Sequence, residues 1–162
     1  MTESTNAPPL RASLLSREPA EINLAPTPEL PDVWAAVLEM PVANGQTATV
    51  VAVADGSASL YTTTGFGIIG AGFRPAVREA ATVFLDAMQA AHTDLALASP
   101  TDVPFPSPGS LSLVALTHGG IRRIELPQGE ADRPTVIGAA LRAGNELLTQ
   151  IRLDYESREA PR

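Results

Sequence analysis

The clearest chemical pattern in this chain lies in the glycines of residues 65–72, which read GFGIIGAG. Gly65, Gly67 and Gly70 match G-x-G-x-x-G, a pattern that lets the backbone approach a dinucleotide closely between a strand and a helix. Arg74 and Arg78 follow on the first turn of the next predicted helix. Guanidinium and free backbone N–H groups at such a place can hold a phosphate or a carboxylate. The candidate ligand-binding residues are therefore Gly65, Gly67, Gly70, Gly72, Arg74 and Arg78.

A structural interpretation of the same residues competes with ligand binding. The strand before the glycines is predicted to be the second of an antiparallel hairpin, whereas a dinucleotide site follows the first strand of a βαβ unit. The next helix begins near Pro75, several residues after the third glycine of the pattern. On this interpretation the glycines allow a close crossing of the sheet. The arginines then belong to a solvated surface, with Arg78 near Asp55 or Glu79.

Composition excludes several kinds of catalytic site. All eleven cationic residues are Arg, and the chain has neither Lys nor Cys. Thiol nucleophiles, Cys zinc sites, Schiff-base lysines and Walker-type lysines are therefore excluded. The two histidines, His92 and His118, are too few for a multi-His metal site and show no orienting partner for acid–base catalysis. We predict no catalytic residue, no metal and no cofactor; enzymatic activity stays open, and its absence is favoured.

The charge and hydropathy of the chain bear on its partners. A formal net charge of −7 makes nucleic acid a poor partner. The first 26 residues contain no apolar segment of the secretory type, and no apolar run approaches the ~18 residues that a spanning helix needs. We therefore expect no nucleic acid partner, no membrane insertion and a cytoplasmic location. The Arg-only, Ala-rich composition suggests a bacterial source with a GC-rich genome.

The elements that must position these residues form a repeated unit of a hairpin followed by a helix. In the first copy, strands at 47–54 and 58–64 flank the turn dipeptide Asp55-Gly56, and a helix runs from Pro75 to near His92. The second copy has strands at 111–117 and 121–126 and a helix at about 135–153. The proline-rich residues 96–108 connect the two copies, with at most an edge strand at 103–107.

A short helix is predicted before both copies, and a tail at each end. Pro31 and Asp32 suit a helix start, and Pro41 would end that helix. Residues 1–28 contain five prolines and predict a flexible or extended tail, in which residues 10–15 could dock onto a partner or onto the chain itself. Residues 155–162 are polar and are expected to fray.

The predicted order α-ββ-α-ββ-α gives one α+β domain at 29–154, with a single antiparallel sheet covered by helices. This order, together with Asp55-Gly56 and a long C-terminal helix, resembles the Roadblock/dynein-light-chain and longin class of the profilin-like group over roughly residues 29–153. The resemblance implies a dimeric scaffold or a regulator of small GTPases. Residues 52–61 and 65–72 are also similar to a group of bacterial proteins with no known activity.

The last predicted helix suggests a place where a second copy could bind. Gly138 and Gly144 lie in its Ala-rich stripe, and an interior glycine costs about 1 kcal/mol relative to alanine, which indicates a close neighbour. That neighbour is either the sheet of the same chain or the same helix of a second chain. The candidate interface residues for the second case are Ile137, Leu141, Gly144 and Leu148.

We thus expect a non-catalytic protein-interaction or scaffold module, a homodimer that regulates a small-GTPase-type partner. The alternative function is a small anionic-ligand or nucleotide-binding domain that uses residues 65–72.

Overall fold

The computed structural model describes residues 7–68 and 70–159. In this part of the chain it has three α-helices and one antiparallel sheet of seven strands, which confirms the predicted α+β class. The helices are α1 (Ala7–Leu15), α2 (Pro75–Ala91) and α3 (Val136–Glu159). The strands are β1 (Val33–Pro41), β2 (Thr47–Val53), β3 (Ala58–Thr62), β4 (Gly67–Ile68), β5 (Ala96–Ala98), β6 (Ser110–Thr117) and β7 (Gly120–Pro127).

The sheet has the strand order β4-β3-β2-β1-β6-β7-β5, so β1 lies at its centre. The two predicted hairpins are confirmed as β2–β3 and β6–β7, and a helix follows each hairpin in the chain. β1 joins them by pairing with β2 on one side and with β6 on the other. The two edge strands have only two and three residues. Short edge strands offer little backbone for pairing with another sheet.

The helix predicted from Pro31 to Pro41 is wrong, because this segment is the central strand β1. Its residues from Val33 to Glu39 are all buried, since helices lie against one face of β1 and the N-terminal segment lies against the other. A strand covered on both faces has a continuous apolar sequence, and periodicity cannot distinguish such a run from a buried helix. The observed strand count consequently exceeds that of the predicted order.

Helices α2 and α3 cover one face of the sheet and form the larger core with it. Phe84 and Met88 of α2 and Leu147 of α3 are fully buried there. They pack against the side chains that alternate along β1, β2 and β6, such as Leu38 and Val50. Burying apolar side chains of this size stabilises the fold by about 1.5–3 kcal/mol each.

The N-terminal segment covers the opposite face, where the sequence predicted a flexible tail. α1 and a 3₁₀ turn at Pro19–Ile22 lie over the sheet, and Leu15 is buried among Trp34 and its neighbours. Docking onto the chain itself was one of the two alternatives for residues 10–15. Residues 1–6 of the predicted tail lie outside the described residues. At the other end, α3 continues to Glu159, beyond the predicted helix end, because Arg152–Glu156 and Arg158–Asp154 pairs support its last turns.

The connection between the two copies contains one edge strand, but at Ala96–Ala98 rather than at 103–107. β5 pairs with β7 at the end of the sheet. The following proline-rich stretch returns across the N-terminal face, where Val103 is buried. It thereby brings the backbone carbonyls of Val103 and Pro104 close to α1.

Candidate functional site

The glycines of residues 65–72 allow close backbone packing. Gly72 lies against the β2–β3 turn, and a Cβ added there would stand only 2.0 Å from the carbonyl oxygen of Gly56. Gly65 and Gly70 have positive φ, which favours glycine at both positions. Gly67 belongs to the short edge strand β4 and has room for a Cβ, with the nearest atom at 3.5 Å. Packing and backbone conformation thus account for Gly65, Gly70 and Gly72 without a ligand.

Arg74 and Arg78 both contact groups of their own chain. The Nε of Arg78 donates a hydrogen bond to the carbonyl oxygen of Gly72 at 3.3 Å, and its guanidinium lies against Gly56. The Nε of Arg74 lies 3.2 Å from Oδ1 of Asp154 on α3, outside hydrogen-bond geometry. The structure therefore brings the six predicted ligand residues into one region, but both cations already have partners there.

Two exposed aromatic rings stand out in the same region. Phe73 is 67% exposed and Phe66 is 44% exposed. Phe66 packs edge-on against Tyr155 of α3, with ring centroids 5.6 Å apart, and the Arg74 guanidinium lies 5.1 Å from the Phe73 ring centre. We call Phe66, Phe73, Arg74 and Tyr155 the aromatic patch. Aromatic and arginine side chains are enriched at the centres of protein interfaces.

The four candidate interface residues of α3 lie against the core of their own chain. Leu141 is 1% exposed, and a Cβ added at Gly144 would lie 3.0 Å from Leu38 and from Phe84. Ile137 and Leu148 are half-buried against the same core. The close neighbour that Gly144 indicates is therefore the sheet and α2 of the same chain, which is the intrachain alternative.

On the opposite face of the sheet, a row of polar side chains crosses five neighbouring strands. The pairing registers place the members of this polar row directly beside one another: Tyr61 on β3, Thr49 on β2, Glu39 on β1, Ser112 on β6 and Glu125 on β7. Thr49, Glu39 and Ser112 are almost completely buried. The neighbouring residues on this face, such as Val37 and Val51, are apolar.

Glu39 is bound from above by Arg11 of α1. The Nε of Arg11 lies 2.6 Å from Oε2 of Glu39, and Nη2 lies 2.8 Å from Oε1. The Thr49 hydroxyl donates a further hydrogen bond to Oε2 at 2.8 Å. Arg11 also donates to the carbonyl oxygen of Val103 at 2.8 Å and lies 4.1 Å from the centre of the Phe105 ring. A buried carboxylate thus has a bidentate cation, the strongest kind of ion pair in proteins.

The remaining members of the polar row differ in their surroundings. Burial, followed by repulsion from the Glu39 carboxylate, raises the pKa of the Tyr61 phenol, while Arg11 opposes the rise. The backbone N–H of Ser107 and the side chain of Arg123 lower the pKa of Glu125. Within the described residues, the buried hydroxyl of Ser112 has no hydrogen-bond partner. An orphaned buried hydroxyl beside a charge is a mark of a functional or incompletely satisfied site.

The polar row was not predicted from the sequence. Arg11 fell in the predicted tail, and Glu39 fell in the predicted helix. Glu39 was nevertheless visible as the one acid inside an apolar run from Val33 to Met40. An acid in such a run indicates a buried partner cation, but the sequence alone does not say which of eleven arginines supplies it.

The two histidines show no arrangement typical of catalysis. His92 lies at the end of α2, where its Nδ1 is 2.7 Å from the Gln89 carbonyl oxygen and its Nε2 is 3.6 Å from Asp32. His118 lies in the β6–β7 turn. Within residues 7–68 and 70–159, no three His, Asp or Glu side chains cluster so that they could hold a metal ion. None of the helices in this part of the chain has the length and apolarity needed to cross a membrane.

Comparison with known proteins found no matching family model, no matching curated protein and no matching solved structure.

Proposed function

We propose that this chain is a non-catalytic protein-interaction module that forms a homodimer through the aromatic patch. The observation that carries the proposal is the exposure of Phe73 and Phe66 on a rigid base. Gly72 fixes the segment against the β2–β3 turn, and Arg78 ties the start of α2 to the same turn. Rigid aromatic side chains bury much apolar area at a low entropic cost, which suits them as interface anchors.

A second copy is the partner that the charges of the patch favour. Arg74 and Asp154 lie side by side, and Arg158 lies 3.2 Å from the same carboxylate. A two-fold axis brings a patch onto its own copy, so a surface with both signs of charge can complement itself. The bound second copy would cover both phenylalanines.

The proposal extends to regulation of another protein. The Roadblock and longin resemblance makes a small-GTPase-type partner and a cytoplasmic location our predictions for this module. The alternative, an anion- or nucleotide-binding loop, has less support, because Arg74 already pairs with the Asp154 carboxylate and Arg78 already donates a hydrogen bond to Gly72.

The test is the molar mass in solution, measured by size exclusion with light scattering at micromolar protein. We expect the wild-type chain near twice 16.9 kDa and the Phe73→Ser variant near 16.9 kDa. Leu97→Ser is the matched control, since Leu97 is also 67% exposed but lies on the edge strand β5. Circular dichroism checks that both variants fold.

Three outcomes would overturn the proposal. If the wild-type chain is a monomer, the proposed homodimer does not form. If the Phe73→Ser variant is still a dimer, the aromatic patch is not the interface. A dimer that dissociates in Leu97→Ser but persists in Phe73→Ser moves the interface to the edge of the sheet.

A further inference from the structure

We propose that the sheet face beneath α1 is a binding site for an amphipathic helix of another protein that presents an arginine flanked by leucines, and that α1 is its intramolecular competitor. The inference stands on the polar row and on α1, and it does not depend on the aromatic patch.

The face requires a cation from outside the sheet. Glu39 is 0% exposed; Thr49 and Ser112 lie beside it on the neighbouring strands, and the apolar Val37 and Val51 lie next to this row. Of the sheet's groups that the structure describes, only the Thr49 hydroxyl bonds to its carboxylate. A carboxylate in such surroundings is stable only when a cation or several hydrogen bonds compensate it. The face therefore selects a ligand that brings a guanidinium to one fixed position.

α1 meets this requirement with the sequence Leu-Arg-Ala-Ser-Leu-Leu at residues 10–15. Arg11 bonds to both oxygens of Glu39, and Leu15 is buried on the apolar part of the face. Leu14 is only partly buried against the same surface. This combination of a charged anchor and leucines one helical turn away is a helix-in-groove mode of recognition.

Open space on both sides of α1 shows that the face is wider than the helix. A groove of about 190 Å³ separates Leu10 and Leu14 from Val51 and Tyr61. A second groove of about 510 Å³ lies between Ala12 and Ser16 of the N-terminal segment and Pro100 and Thr101. Leu10 is 40% exposed, although an apolar groove lies beside it. A longer helix with larger side chains would fill these spaces and bury more apolar area.

The length of α1 makes its departure feasible. It has nine residues, whereas isolated helices shorter than about 12–15 residues are marginal in water, so α1 depends on the face for its own structure. Among the described residues, its hydrogen bonds to the chain beyond the N-terminal segment come from one side chain, that of Arg11, which bonds to Glu39 and to the carbonyl oxygens of Val103 and Pro104. A partner helix with its own arginine replaces these bonds one for one. Because α1 occupies the same site, the apparent affinity of the partner helix is lower than its affinity for the uncovered face.

The test uses the full chain and a peptide with the sequence of residues 7–17, which carries the required arginine. The Arg11→Met variant weakens α1 in its own site and leaves Glu39 without a cation. We expect this variant to bind the labelled peptide at least tenfold more tightly than the wild-type chain does, as measured by fluorescence anisotropy. The control peptide, with methionine in place of the arginine that corresponds to Arg11 and with Arg17 kept, should bind the variant at least tenfold more weakly.

A charge control separates recognition of the arginine from general apolar adhesion. In the double variant Arg11→Met, Glu39→Gln the carboxylate is gone, so the two peptides should bind with equal affinity. The proposal is overturned if the Arg11→Met variant binds both peptides equally well. It is also overturned if this variant binds the arginine peptide no more tightly than the wild-type chain does.

A second measurement covers the case in which Arg11→Met does not fold. In the wild-type chain, saturating peptide should increase the hydrogen exchange of the α1 amides and leave the exchange of β1 unchanged. Unchanged α1 exchange overturns the proposal. A dimer of the wild-type chain that the peptide dissociates would show that a second copy, rather than another protein, supplies the helix, and would overturn the choice of partner.

Discussion

Gln89 of α2 binds Asp32 with both ends of its side-chain amide. Its Nε2 donates to the Asp32 carboxylate at 2.9 Å, and its Oε1 accepts from the backbone N–H groups of Asp32 and Val33 at 3.1 and 2.9 Å. These two N–H groups lie at the start of the central strand, and Val33 is fully buried. One side chain thus fixes the position at which β1 begins under the end of α2.

Replacing this side chain should therefore be costly. We expect Gln89→Ala to lower the free energy of unfolding by about 1–3 kcal/mol, because it leaves a buried N–H group without a partner. Gln150→Ala is the matched control: within residues 7–68 and 70–159 the Gln150 side chain bonds only to Glu146, one turn away on α3, so its loss should cost less than about 0.5 kcal/mol. Urea unfolding measures both values. Equal costs for the two variants would contradict the importance of the Gln89 contacts.

Gly72→Ala should destabilise the fold by about 1–3 kcal/mol, the usual cost of overpacking. The added Cβ would meet backbone atoms of Gly56 and Ser57, which cannot rotate away as a side chain can. Gly67→Ala is the control in the same segment, since its Cβ meets only an ordinary contact at 3.5 Å. Thermal unfolding of both variants tests this, and a Gly72→Ala variant as stable as Gly67→Ala would refute the close approach.

The ion pair between Arg11 and Glu39 should couple the N-terminal segment to the sheet. We expect Arg11→Met alone to cost about 3–5 kcal/mol, because the buried carboxylate loses its cation. The double variant Arg11→Met, Glu39→Leu should recover most of this loss, since an apolar pair of similar volume is often as stable as a buried ion pair. A double-mutant cycle from urea unfolding gives the coupling. If the free-energy costs of the two single substitutions add up to the cost of the double substitution, the two side chains do not interact.

Alkaline conditions should destabilise the protein through Tyr61. Burial raises its pKa in the folded state above the ordinary 10.0, so the unfolded chain ionises first as the pH rises. Its contribution is complete below about pH 10 and is lost above it, by at most ~1.4 kcal/mol per pH unit. Tyr61→Phe should flatten the pH dependence of the unfolding midpoint above pH 10. If the unfolding midpoint falls equally steeply with pH in the wild-type chain and in Tyr61→Phe, Tyr61 is not the group that causes the loss of stability.

The sequence predicted the hairpins and the two long helices well because their signals are local. Asp55-Gly56 sits in a tight turn, and Pro75 begins α2. β1 could not be recognised in the same way, because both of its faces are buried and its apolar run carries no period. A strand at the centre of a sheet is defined by neighbours that lie far away in the chain.

The site was harder to predict than the fold because it depends on contacts between distant residues. The glycine pattern of residues 65–72 is easy to recognise in the sequence. In the structure, however, its glycines mainly allow positive φ angles and the close approach to the β2–β3 turn. Glu39 and Arg11 are 28 positions apart and meet only after the N-terminal segment crosses the sheet. The exposure of Phe66 and Phe73 likewise follows from the path of the chain around the sheet edge.

The central position of β1 also bears on the order of events during synthesis. β1 leaves the ribosome shortly before β2 and β3, but its second neighbour in the sheet is β6. Ala36 of β1 therefore cannot pair on that side until Ala115 of β6 has been synthesised. Until then the nascent half-sheet has an open interior edge, with apolar side chains on both faces of β1. The two-residue strand β4 pairs with the outer edge of that half-sheet, whereas the inner edge pairs with β6, which emerges later. The nascent chain is therefore most exposed to association with other chains, and most in need of a chaperone, between the emergence of β3 and that of β6.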